Sequence, residues 1–301
     1  NDSFVVISNS GGALTSLGLL GSGTMALGTL PTSVTNVNGA SATANLTLEI
    51  SSGGTNTIKG GTGDDAITLT GGVNDVDGGD GDDTITTSTN LVSADRINGG
   101  NGTDTLEAIH TGLATVPTTA NLTSIERVLI TDTVHQSLDF SLLTSITEIE
   151  LQGGTTVNGA TITTTLGTNQ TLTLDSITDG DTATETLADG GIEIAQANSI
   201  TSLSLTLDDI GPTAANTNTN VVIDVAGAGI DTANITSANT SFVVLENSGN
   251  AITTLNLTGS GTLGMQGVLA NSITTINGIN SSANLTLTSG TGDDMITGGS
   301  G

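Results

Sequence analysis

Along most of this chain apolar residues alternate with Thr, Ser, Asn or an acid. The alternation is clear in ANLTLEI (44–50), SIERVLI (124–130), ITEIELQG (146–153), QTLTLDSI (170–177), SITSLSLTLDD (199–209) and NVVIDVAG (220–227). A period of two is the signature of a strand with one buried face. Many short strands separated by Gly/Asn/Asp turns predict an all-β chain. The recurring TxLxLTxSG form resembles rungs stacked along a solenoid. No long amphipathic helix is evident, and SLLTSI (141–146) fits a helical turn at most. The polar stretches around Pro117 and Pro212 read as loops.

Composition narrows this picture. Of 301 residues, 35% are hydrophobic but only 1% aromatic, with no Trp or Tyr. The core must therefore be built from Val, Ile, Leu and Ala, which suits thin stacked layers better than a thick globular core. The net charge is −27, with only Lys59, Arg96 and Arg127 basic. Phosphate contacts need Lys and Arg, so nucleic acid is excluded as a partner. There are no cysteines, which leaves a structural metal as a natural staple. No apolar run approaches the length of a membrane span. The chain does not begin with Met, which suggests processing or a piece of something longer.

Two larger patterns organise the chain. The first is a duplication. NDSFVVISNSGGALTSLGLLGSGTM (1–25) returns as NTSFVVLENSGNAITTLNLTGSGTL (239–263), and VTNVNGASATANLTL (34–48) as ITTINGINSSANLTL (273–287). GTGDDAIT (61–68) then aligns with GTGDDMIT (290–297), after an insertion of roughly ten residues in the first copy. The expected division is a module start over 1–58, a glycine–aspartate run over 59–107 and a Thr/Ser/Asn-rich solenoid-like segment over 108–238. A second module start covers 239–288, and a second run begins at 289–301. Phe4 and Phe242 hold equivalent places in the two copies and are expected as core anchors.

The second pattern is a nonapeptide, G-G-x-G-x-D-x-U-x with U apolar. It is met at 60–68 (GGTGDDAIT), 78–86 (GGDGDDTIT) and 99–107 (GGNGTDTLE). Residues 69–77 and 90–98 keep the phase more loosely, with Asn74 and Asp95 at position 6. Residues 87–89 interrupt it. The glycines permit tight turns whose carbonyls face inward, and the position-6 carboxylate completes a shell of hard oxygens suited to Ca²⁺. Two nonapeptides make one coil of a parallel β-roll. Asp65 is then expected over Asp83 and Asp83 over Asp104 on one edge, with Asn74 over Asp95 on the other. The expected metal residues are Gly61, Gly63, Asp65, Asn74, Gly79, Gly81, Asp83, Asp95, Gly100, Gly102 and Asp104. About three sites are expected here, and Asp294 begins another whose partner would lie beyond Gly301.

This motif resembles the RTX (repeats-in-toxin) calcium-binding family across 60–107. The resemblance implies Ca²⁺ binding, type I secretion and folding after export. Poverty in Lys, His, Met and aromatics makes the whole chain similar to RTX surface-layer proteins of the Caulobacter type. That likeness implies a secreted structural protein whose partners are copies of itself, with cell-surface polysaccharide a further candidate. A repetitive RTX adhesin, or the spacer of a larger RTX exoprotein, is the alternative.

Other candidate chemistry is thinner. GxSxG, HExxH and Cys–His patterns are absent, so no enzyme is expected. Asp132, His135 and Asp139 have spacings that put strand residues on different faces, and they read as solvated. The acidic stretch 175–193 offers Asp179 and Asp181 as secondary calcium ligands, although a solvated loop is the favoured reading.

Overall fold

A computed structural model describes residues 3–4, 6–87, 91–113, 121–133, 135–156, 161–179, 191–196, 200–211 and 221–301. Loop expectations at Pro117 and Pro212, and the ligand expectation for Asp181, lie outside these residues, as does the side chain of Asp179. The chain divides into two compact units, 1–130 and 131–301. In each, strands pair in parallel with the strand two elements away, so alternate strands build two facing sheets. This is an all-β parallel solenoid. Every described strand pairing is parallel, as a coil that always turns in the same sense requires. The six strands expected from alternation all form, within a few residues of their predicted bounds.

In the first unit, one inward column runs Leu48, Ile67, Ile85, Leu106, Val128, each residue directly over the next. The facing column runs Val37, Ile58, Val76, Ile97, Leu122. All of these side chains are buried. The narrow gap between the sheets explains why branched aliphatics suffice and aromatics are scarce. In the second unit Ile149, Leu172, Leu205, Ile235 and Leu257 make one column, and Ile162, Ile192, Ile223 and Leu245 the other. Threonines and asparagines on the outward face pair along the sheet, as in Thr236–Thr258 (2.9 Å) and Asn256–Asn234 (2.9 Å).

SLLTSI forms hydrogen-bonded turns, and the described helix is a single turn at His110–Leu113. Two expectations need correction. Phe4 and Phe242 are not core anchors. Phe4 is 74% exposed, and Phe242 takes an outward position between the buried Ser241 and Val243, packing on the space left by the missing side chain of Gly264. Asp132 and His135 do approach one another (Oδ2–Nδ1 3.7 Å), Asp132 lying in a bend and not in a strand. Only Asp139 is exposed as expected.

The duplication is reproduced element by element. Ser16–Gly21, Met25–Thr29, Asn36–Ala42 and Leu46–Ile50 correspond to Thr254–Gly259, Leu263–Gln266, Thr275–Asn277 and Leu285–Thr286. The first copy then inserts one strand, Thr55–Lys59, before Ala66–Leu69, the counterpart of Met295–Thr297. The ten-residue insertion is thus half a coil.

Candidate metal centre

The predicted coil length holds. Asn56 and Asn74 are register partners 18 residues apart, two nonapeptides. Past the break at 87–89 the separation is 21 residues, as between Asp77 and Asn98, and register recovers on both sides of the roll.

Position-6 residues stack as expected. Asp65, Asn74, Asp83, Asp95 and Asp104 are each at most 2% exposed. On one edge, Asp65 Oδ1 accepts the Leu46 N–H (2.8 Å), Asp83 Oδ1 the Asp65 N–H (2.7 Å) and Asp104 Oδ1 the Asp83 N–H (2.8 Å). Each carboxylate thus grips the coil before it with one oxygen. The second oxygens differ. Asp65 Oδ2 accepts the Gly61 N–H (2.7 Å), whereas Asp83 Oδ2 and Asp104 Oδ2 are buried without a hydrogen bond. An unpartnered buried carboxylate oxygen is costly, and a cation is the usual remedy.

Glycines shape the space these oxygens face. A Cβ on Gly78 would fall 2.2 Å from Asp83 Oδ2 and 2.3 Å from the Gly99 carbonyl oxygen. One on Gly60 would fall 1.8 Å from the Gly78 oxygen and 2.4 Å from Asp65 Oδ2. Carboxylate and carbonyl oxygens of successive coils therefore border the same small cradle, which any side chain would fill. The glycines at positions 2 and 4 stack too. A Cβ on Gly79 would meet the Gly61 oxygen, on Gly100 that of Gly79, on Gly81 that of Gly63 and on Gly102 that of Gly81. The sequence expectation had stressed these; the position-1 glycines Gly60, Gly78 and Gly99 form the cradle itself.

Burial pushes the Asp83 carboxyl up to about 7; the Asp65 N–H opposes this, while the Asp65, Asp104 and Asp64 charges add to it. Asp104 is raised by burial and by the charges of Glu126 and Asp82, against its bond from Asp83. Asp65 is raised by burial, against bonds from Gly61 and Leu46. The column holds more negative charge than its surroundings neutralise, and all its free donors are hard oxygens. That donor set fits Ca²⁺.

The opposite edge is built differently. Asn74 does sit over Asp95, donating its N–H to Asp95 Oδ1 (2.7 Å), and Val92 N–H meets Asp95 Oδ2 (2.7 Å). Below it, Asn56 Nδ2 donates to Asn74 Oδ1 (2.9 Å) and to the carbonyls of Ser52 and Gly71 (3.3 Å each). An amide nitrogen lies among oxygens like those that face a carboxylate on the first edge. Asn56 holds position 6 of a loose nonapeptide over 51–59, with Gly54 at position 4 and Ile58 at position 8, and was not foreseen. In the second unit Asp294 is half-buried within the last turn and strand, 291–297.

A parallel β-solenoid with stacked glycine–aspartate turns defines a class of calcium-stabilised roll. The repeats are those of the RTX calcium-binding nonapeptide, whose family profile matches four times, over residues 50–85, 93–108 and 286–301. These repeats bind Ca²⁺. The matched segments take in every expected site residue, Asp294 included. No curated protein and no solved structure matches the chain.

Proposed function

We propose that this chain is a structural, calcium-dependent component of a bacterial extracellular surface layer, built from a repeated module. Its calcium ligands are the carboxylates of Asp65, Asp83, Asp95 and Asp104, with Asn74 as a neutral member. The turns at Gly61, Gly63, Gly79, Gly81, Gly100 and Gly102 supply backbone oxygens, and Asp294 opens a further site. Calcium drives folding by neutralising buried carboxylates, and its role is scaffolding, not catalysis.

The observation that carries this reading is the duplication: two copies of one sequence fold into matching strands, apart from the one strand inserted in the first copy, and each leads to a glycine–aspartate turn. A module that recurs with its metal motif supports an extended, self-associating secreted assembly more than a single active site. Electron microscopy of the purified chain with millimolar Ca²⁺ and with chelator tests it. Ordered two-dimensional sheets that need calcium are expected. Isolated rods that bind a surface ligand would favour the adhesin reading. Dispersed particles in both conditions would overturn both.

A further inference from the structure

The column of carboxylates does not stop where the nonapeptides stop. Ile97 and Asn98 pair with Leu122 and Thr123, and Thr105 and Leu106 with Arg127 and Val128. Ser124 therefore stands in the register of Gly99, and Glu126 in that of Asp104. The six residues GGNGTD (99–104) are answered by only three, Ser124–Ile125–Glu126.

Three observations meet in this short turn. Ser124 has φ +48°, a left-handed conformation that a residue with a side chain adopts at a cost. Its carbonyl oxygen lies 2.0 Å from where a Cβ on Gly99 would be, and Asp104 Oδ2 lies 2.4 Å from the same point. Asp104 is fully buried, and that Oδ2 is one of the two carboxylate oxygens without a hydrogen bond. Finally, Glu126 Oε2 accepts the Asp104 N–H at 2.9 Å. This repeats the bonds from Asp83 to Asp104 and from Asp65 to Asp83. Glutamate has one methylene more than aspartate, and that reach compensates for a turn three residues shorter.

We propose that Ser124 and Glu126 close the column with a calcium site of their own. Its ligands are Asp104 Oδ2, the Ser124 carbonyl and the Glu126 carboxylate, with water completing the shell. Asp104 and Gly99 belong to the last nonapeptide, whereas Ser124 and Glu126 do not; the missing Cβ of Gly99 leaves the room, and the Ser124 carbonyl stands there as the Gly99 carbonyl stands beside Gly78. The site rests on the calcium reading of the repeats.

The test is hydrogen exchange and equilibrium dialysis with Ca²⁺ on the 301-residue chain. At free calcium 100-fold above the site's Kd, amides of 121–128 should exchange about 100-fold more slowly than in chelator. Glu126→Gln keeps an oxygen for the Asp104 N–H but loses the charge. It should bind one ion fewer and lose the protection at 121–128, with that at 60–86 retained. Ser124→Gly, which keeps the carbonyl and relieves φ, should bind as the parent does. Calcium protection confined to 60–86 in the unaltered chain, or an unchanged ion count in Glu126→Gln, overturns the proposal and leaves the nonapeptide sites standing. No calcium bound at all would overturn the underlying reading instead.

Discussion

At the scale of single residues, charge without compensation governs the roll. Asp83 shows the sign of the effect. Its carboxyl rises from 3.8 to about 7 in the folded, calcium-free chain, chiefly through burial. A raised carboxylate pKa means that the folded state holds the proton more tightly than the unfolded one. The resulting stability is present below pH 4 and is lost as pH rises through about 7, a span of roughly 4 kcal/mol. Calcium-free protein should therefore melt at lower temperature at pH 7.5 than at pH 5. Calcium binding at pH 6 should release protons, seen as a buffer-dependent heat in titration calorimetry. A melting temperature in chelator that rises over this range would contradict the assignment. The Asn56–Asn74 pair suggests the companion test. Asp83→Asn keeps an oxygen for the Asp65 N–H and places an amide nitrogen where the unpartnered Oδ2 stands. It should raise the stability of the calcium-free chain by about 1–3 kcal/mol and reduce the gain from calcium. Chemical denaturation with and without chelator measures both changes.

At the scale of the turn and strand, glycine is demanded by contact more than by conformation. Gly78 has no positive φ, yet a Cβ there would overlap Asp83 Oδ2 and the Gly99 backbone. Gly78→Ala should cost about 3 kcal/mol and weaken calcium binding, because backbone cannot step aside. Gly18 sits in a strand with nothing within 4 Å of its missing Cβ, so Gly18→Ala should be neutral or slightly stabilising. Equal losses in the two variants, measured by thermal melts in calcium, would refute this steric account. The nine-residue phase made the stacking of Asp65, Asp83 and Asp104 readable in advance, because each turn repeats the same chemistry, but not that Gly60, Gly78 and Gly99 line the cradle. Asn56 stands at position 6 of a loose nonapeptide over 51–59 and was within reach of the phase; Ser124 and Glu126 were not readable. Their roles come from being stacked against a repeat, and one-dimensional spacing does not record that when the turn shortens from six residues to three. The rungs of the second unit were visible as strands but not as coils. Register partners there lie 22 residues apart at Thr236–Thr258 and 30 at Thr163–Glu193, so no fixed period marks them.

At the scale of the molecule, each of the two units is stabilised by a different balance of charge and neutral contacts, and calcium removal should act on them unequally. Thirty acids face three basic residues along the chain, so metal-free carboxylates repel one another with little internal relief. In residues 1–130 that strain is concentrated in the buried Asp65–Asp83–Asp104 column. In residues 131–301 several ladders are neutral, although Glu193, Asp224 and Glu246 are register partners, and burial and the Asp224 charge raise the Glu246 carboxyl. Asn234, Asn256 and Asn277 bond in sequence (2.9 and 3.4 Å), Thr236 meets Thr258, and Gln170 satisfies the Phe140 and Leu143 carbonyls (3.0 and 3.1 Å). Removing calcium should therefore act first on the first unit, which holds all the proposed sites but that of Asp294. Each saturated site adds about 2.7 kcal/mol at free calcium 100-fold above its Kd, so three sites together rival the whole stability of an ordinary domain. In chelator, unfolding should split into two transitions, the earlier one belonging to residues 1–130 and moving upward on calcium titration. Limited proteolysis in chelator should cut within 1–130 and leave a resistant fragment from the second half. One cooperative transition in chelator, with cleavage spread evenly over both halves, would show that the neutral ladders depend on the metal as much as the carboxylate column does.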